Sequence, residues 1–289
     1  MVFIILDVLF INLKMLQISE LYIYPIKSLA GIAVKKARIT EKGFEYDRRY
    51  LLVDANNCFL TQREYPQMSQ LQPSIENNEL RVTHRASNKS ITLPLTPSPS
   101  TNRATVVIWD DICIAEFISD EADSWFTEML GINCRLVYMP DDTKRVVDQR
   151  YAPENSVTSF SDAYPFLIIG QASLDDLNSR LTDALPMNRF RPNIVFTGGE
   201  PFEEDQYGHF TIGDIDFYGV KLCARCVVTT IDQETAKKGK EPLKTLASYR
   251  FKNNKILFGQ NLVHEGSGEI IVGNEIMVLQ ENMEDRFIV

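Results

Sequence analysis

Short runs of alternating polar and apolar residues, separated by turn signals, dominate the first half of this chain and leave little room for anything but antiparallel β-structure. LYIY, KKARI, RYLLVD, ELRVTH, SITL, TVVIW and ICIAEF follow one another between Leu21 and Phe117. Most show period-two alternation or β-branched enrichment, as expected of strands with one face on a core. This half therefore reads as antiparallel β, barrel-like in outline. LTPSPSTNR, from Leu95 to Arg103, is rich in Pro and Ser and reads as a loop within that unit.

A helix and a further strand close this first unit. SDEADSWFTEMLG has an acidic start, apolar Trp125, Phe126 and Met129, and a closing Gly131, which describe a short amphipathic helix before the strand CRLVYM. A boundary is expected at Pro140-Asp141-Asp142. Beyond it PFLIIG reads as a buried strand, and Ser173 is placed to cap a helix whose Leu174, Leu177 and Leu181 share one face. NIVFTG, HFTIGDIDFYG and EIIVGNEIMVL read as strands, the last two as hairpins turning at Gly-Asp and Gly-Asn. No internal repeat is visible.

A chain of 289 residues exceeds the usual single domain, and 44% hydrophobic with 24% charged is an ordinary globular balance. The expected organisation is an extension over residues 1–14, one domain over 15–139 and a second over 140–285. Residues 1–14 are apolar, but they are shorter than the ~20 residues a spanning helix needs. With Asp7 and Asn12 in the run, and neither a basic start nor a cleavage site, a signal peptide is not expected. They read as an early start codon ahead of a domain beginning near Met15. The formal charge of −9 argues against a nucleic-acid partner. Five scattered cysteines in a chain this long point to a reducing compartment rather than a disulfide framework.

The chemistry-bearing pattern is KLCARCVVTTID, where Cys223 and Cys226 flank Arg225 at C-x-x-C spacing. A structural zinc site would need four ligands, and His84, His209 and His264 are singletons. A redox dithiol usually opens a helix, whereas VVTTID is β-branched and not helix-forming. The third reading is a single thiolate metal ligand beside a small buried second Cys, with Arg225 favouring the thiolate. Among the cations, Lys27 on its own reads as a solvated strand-end charge, and Arg48 or Arg49 as a partner for Asp47, with only one of that pair pointing inward. Pro192-Asn193 could be a purely structural turn. Trp109 and Trp125 read as core.

Six segments carry a resemblance: YPIKS (Tyr24 to Ser28), YDRRYLLVD (Tyr46 to Asp54), RFRPNIVFTG (Arg189 to Gly198), CARCVVTTID (Cys223 to Asp232), EPLKTLASYR (Glu241 to Arg250) and LFGQNL (Leu257 to Leu262). Their types and order resemble MOSC-domain proteins, in particular the amidoxime-reducing component and its bacterial relatives. The resemblance implies an α+β, β-rich fold: an N-terminal β-barrel-like MOSC domain followed by a C-terminal MOSC β-barrel domain with a few helices. It also implies a molybdenum cofactor (Mo-molybdopterin) in the cleft between them. Matched position by position, Cys226 is the family's metal ligand. Lys27, Ser28, Arg48, Ser161, Asp162, Arg191, Asn193 and Arg225 match residues at the cofactor. The cofactor's phosphate and polar pterin need cations and donors, and Lys27, Arg48 and Arg191 suit that need in an otherwise acidic chain.

The implied activity is reduction of small N-hydroxylated compounds, such as amidoximes, by oxygen-atom transfer to molybdenum, with two electrons and two protons restoring the metal and releasing water. No cysteine follows Cys226, so an intrinsic iron–sulfur cluster is not expected and the electrons would come from an external electron-transfer protein. Neither a membrane nor a nucleic acid is expected as a partner, and the expected location is cytoplasmic. The competing reading is a cofactor-binding or sulfur-carrier module acting through a persulfide on Cys226.

Overall fold

The computed structural model describes residues 15–282, so the expectation for residues 1–14 lies outside the described residues. The molecule is strand-rich with few helices, as the alternation implies. A long sheet runs in the order Ile32–Val34, Gln17–Ile23, Ile194–Thr197, Phe166–Gly170, Lys255–Glu265, Ile215–Ala224, Tyr207–Ile212, Ile276–Glu281. A second sheet orders Tyr50–Val53, Arg135–Tyr138, Asp111–Phe117 and Arg103–Ile108. Leu71–Glu76, Glu79–His84 and Ser90–Pro94 form a three-stranded meander.

The long sheet takes its first strand from the N-terminal segment. Gln17–Ile23 runs antiparallel to Ile194–Thr197, with Leu21 opposite Ile194. Lys36–Thr40 pairs with Gly268–Ile271. The first thirty or so described residues are thus hydrogen-bonded into the half that follows residue 140. Ile18, Leu21 and Ile23 face inward, with a register shift between Ile18 and Glu20 breaking the period of two, and meet Phe166, Ile168, Phe196, Phe210 and Phe217 in one core. A second core lies beneath the Asp120–Leu130 helix, where Ala122, Phe126 and Leu130 cover Leu52, Leu80, Val82 and Leu136. Gly131 closes that helix at φ 68°, as its sequence implies, and Ser119 caps its start by accepting from the Ala122 amide. Trp125 packs against this core, as read.

Three local expectations need correction. Ser173 does not cap its helix: the helix spans Gln171–Ser179, and the Ser173 hydroxyl donates to buried Glu204 at 2.7 Å. The EIIVGNEIMVL segment turns at Gly273-Asn274 but is not a hairpin, because Gly268–Ile271 and Ile276–Glu281 pair with different strands. The turn is pulled onto the first strand instead, where Ile18 exchanges backbone hydrogen bonds of 2.9 Å with Gly273 and Asn274. The third concerns Val227–Thr230, read as β-branched and not helix-forming, which makes a 3-10 turn. The Thr229 and Thr230 hydroxyls donate to the carbonyls of Cys226 and Val227 at 2.9 and 2.8 Å, and this back-bonding holds β-branched residues in a tight turn.

Candidate functional site

Where the long sheet meets the second sheet, the loops that join them enclose a cavity of about 340 Å³, within the usual range for a small-molecule site. Every position singled out from the sequence lines it: Lys27, Ser28, Arg48, Ser161, Asp162, Arg191, Asn193, Arg225 and Cys226. They come from five separate stretches of chain, which the strand pairing gathers. The Tyr22 amide donates to the Asn193 carbonyl, and the Asn193 amide to the Leu167 carbonyl, both at 2.9 Å, which fixes two stretches together. The Arg48 carbonyl accepts from the Phe160 amide at 2.9 Å and draws in a third.

Lys27 is not a solvated strand-end cation but is 5% exposed. Its ammonium donates to the Phe160 carbonyl at 2.8 Å and to Asp162 at 2.7 Å. Burial pushes its pKa down to about 8, against the opposing pull of Asp162. The Asp162 side chain is 70% exposed, open to the cavity. Desolvation opposes its ionisation, but Lys27, with Arg63 and Arg48 beyond it, holds the carboxyl below the usual range.

Of the adjacent arginines, Arg48 faces the cavity and Arg49 turns away to the Met139 carbonyl and Asp141. Arg48 also proves to be the partner of Asp47, at 2.5 Å, so the two readings of that cation hold together. Asn193 lines the cavity, yet its side-chain oxygen accepts from Arg48 at 3.0 Å and its amide nitrogen donates to the Tyr22 carbonyl at 3.2 Å. It orients Arg48 more than it offers groups of its own.

Tyr24, absent from the sequence-derived set, organises the cations. The Arg48 and Arg191 guanidinium carbons lie 4.5 and 4.3 Å from its ring centroid, and its hydroxyl donates to the Pro192 carbonyl at 2.9 Å. Burial pushes the Arg191 pKa down to about 10 despite support from Tyr24.

The thiol environment differs from the expectation. Arg225 serves Cys223, not Cys226: one guanidinium nitrogen donates to the Cys223 sulfur at 2.9 Å and the other to the Phe190 carbonyl at 2.6 Å. Burial pushes the Cys223 thiol up, with Arg225 opposing. Cys226 receives its hydrogen bond from Arg63, Nε to Sγ 3.4 Å. Trp109 is not core: it is 40% exposed, lines the cavity, and its ring centroid lies 4.1 Å from the Arg63 guanidinium carbon. Nothing in the spacing of TQREYP marks Arg63, and a tryptophan at a strand end carries no signal of which way it faces.

The residues present fit a polar, anionic group that brings most of its own metal ligands. Among the described residues no three His, Cys, Asp or Glu side chains converge, and of the two cysteines lining the cavity Cys223 already accepts from Arg225. The Arg225 Nε is buried with no partner. Arg191 has the Tyr24 ring beside it and no carboxylate ion pair among the described residues. Such unspent donors in a desolvated wall suit phosphate oxygens and a hydrogen-bonding heterocycle.

Residues 15–133 match the family described as the MOSC N-terminal beta barrel domain, and residues 155–277 match the MOSC domain. The chain is 34% identical to mitochondrial amidoxime-reducing component 1 of Mus musculus, over 91% of this chain and 82% of that protein. It is 33% identical to the Homo sapiens protein of the same name, with the same coverage of 91% and 82%. It is 32% identical to the molybdenum cofactor sulfurase of Oryza sativa subsp. japonica, over 92% of this chain but 35% of that longer protein.

Proposed function

We infer the activity from the family: this chain belongs to the MOSC-domain proteins, carrying both the N-terminal beta barrel domain and the MOSC domain. The reading best supported is a molybdenum-cofactor oxidoreductase that reduces N-hydroxylated compounds such as amidoximes. One observation carries it: the Cys226 thiol opens into the same cavity as buried Lys27 and half-buried Arg48 and Arg191. Likeness to amidoxime-reducing components along most of the chain supports the choice of substrate.

The cofactor, when bound, would supply two-electron redox chemistry and an acceptor for the substrate's oxygen atom. The protein does the rest. Lys27, Ser28 and Arg191 would hold the phosphate and ring, and Arg48, fixed by Asp47 and Asn193, would complete the cationic wall. Cys226 would be the single protein ligand. Asp162, held ionised by Lys27, can only accept hydrogen bonds near neutral pH, whereas Lys27 holds a proton at Nζ until about pH 8. Electrons would come from a separate carrier protein. The cytoplasm is the compartment we propose, where five free thiols stay reduced.

The direct test is reduction of benzamidoxime to benzamidine by molybdenum-loaded protein with reduced methyl viologen as donor. Turnover that disappears in Cys226→Ser is expected, and its absence in metal-replete protein would overturn the enzyme reading. Similarity to a molybdenum cofactor sulfurase favours one alternative, a sulfur carrier. In that case mass spectrometry would find a persulfide on Cys226 in protein that does not turn over.

A further inference from the structure

Arg63 is the residue whose side chain, among the described residues, donates to the Cys226 sulfur. We propose that Arg63 is a positioning residue that sets the reduction potential of the metal held by Cys226, and that Trp109 clamps it in place. This rests on the molybdenum reading above.

An N–H···S hydrogen bond withdraws electron density from a thiolate. A thiolate that donates less to its metal leaves the reduced state more stable and raises the reduction potential. Arg63 makes that bond through Nε at 3.4 Å. Arg225, the cation nearest in sequence, is spent on Cys223 and the Phe190 carbonyl. The Arg63 guanidinium lies over Trp109 at 4.1 Å, and its main-chain carbonyl accepts from Lys238 at 3.0 Å, so both ends of the residue are held. Trp109 is braced edge-on by Phe59, with ring centroids 4.8 Å apart. Trp109 also sits at φ 56°, a conformation bulky residues rarely adopt, while its ring remains 40% exposed. The hairpin turn between Arg103–Ile108 and Asp111–Phe117 sets that backbone, and it leaves the ring on the cavity side, stacked on the Arg63 guanidinium.

The test is a potentiometric titration of the paramagnetic molybdenum signal in wild type, Arg63→Met, Arg63→Lys and Trp109→Leu, with metal content measured on each. The expected result is unchanged molybdenum per chain throughout and a potential more negative than wild type in Arg63→Met. Arg63→Lys should recover part of the shift, because it restores the charge without the Nε donor or the flat stack on Trp109. Trp109→Leu should move the potential the same way by less, and it carries the test should Arg63→Met fail to fold. Potentials equal to wild type in metal-replete variants would overturn this inference alone. Loss of molybdenum in Arg63→Met, with Trp109→Leu at the wild-type potential, would also overturn it by making Arg63 a cofactor anchor. Wild type without molybdenum would overturn both this inference and the reading beneath it.

Discussion

Ser28, Arg48, Trp109 and Arg191 all reach the cavity from left-handed backbone, with φ of 67°, 50°, 56° and 56°. Each such conformation costs about 1–3 kcal/mol for a non-glycine residue and persists only where its surroundings fix it. Ser28, Arg48 and Arg191 were legible as residues in YPIKS, DRR and FRPN, but no sequence pattern shows the direction that a left-handed backbone gives them. Lys27 shows the same limit, since a lysine at a strand end gives no sign in sequence that it will be buried. Its burial has a pH consequence. The ammonium that would hold an anion is present below about pH 8 and is lost as pH rises through that value, because burial favours the neutral form. Cofactor retention should therefore fall above about pH 8. Asp162→Asn removes the carboxylate that keeps Lys27 protonated, so the fall should begin at lower pH. Molybdenum retained after dialysis across a pH series reads this, and a break that does not move in Asp162→Asn would count against the pairing.

The strands Ile215–Ala224 and Lys255–Glu265 form the ladder that carries Cys223 and leads directly into Cys226. Their register shifts between Gly219 and Lys221, which re-aims the residues beyond toward the cavity. A Cβ at Gly219 would fall 2.0 Å from the Tyr207 carbonyl oxygen and 2.4 Å from the Gln260 side chain. Gly219→Ala should thus destabilise by about 1–3 kcal/mol, the usual range for overpacking, read as a lower denaturation midpoint. An unchanged midpoint would mean that the bulge yields easily. Strands of this kind were legible as period-two runs, and the Asp120–Leu130 helix was legible from its acidic start, apolar face and closing Gly131, though its Ser119 cap was not. The Gly273-Asn274 turn was misread as a hairpin because its strands pair with distant partners, and local sequence holds no record of those partners.

Across the whole molecule, the two halves are not independent in the way a boundary at residue 140 suggests. Gln17–Ile23 lies inside the long sheet against Ile194–Thr197, and Ile18, Leu21 and Ile23 are buried in its core. A fragment of residues 140–285 lacks that strand and exposes the faces it covers, so it should show no cooperative unfolding transition. A sharp thermal transition in the fragment would contradict the shared core. The same interlocking places the site, since Lys27, Ser28, Arg48, Arg63 and Trp109 come from one half and Arg191, Arg225 and Cys226 from the other. The site's residues were legible through the resemblance of YPIKS, DRR, FRPN and CARC to the family, not from their charges alone, which read Lys27 as a surface cation. Arg63 and Tyr24 escaped notice, and Trp109 was misread as core, because their roles arise only when distant segments meet. The most direct test of the whole account is molybdenum per chain, measured by elemental analysis of protein purified from a host that makes the cofactor, beside Cys226→Ser. The account predicts near-stoichiometric metal in wild type and loss of it in the variant; wild type without molybdenum, or Cys226→Ser that retains it in full, would contradict it.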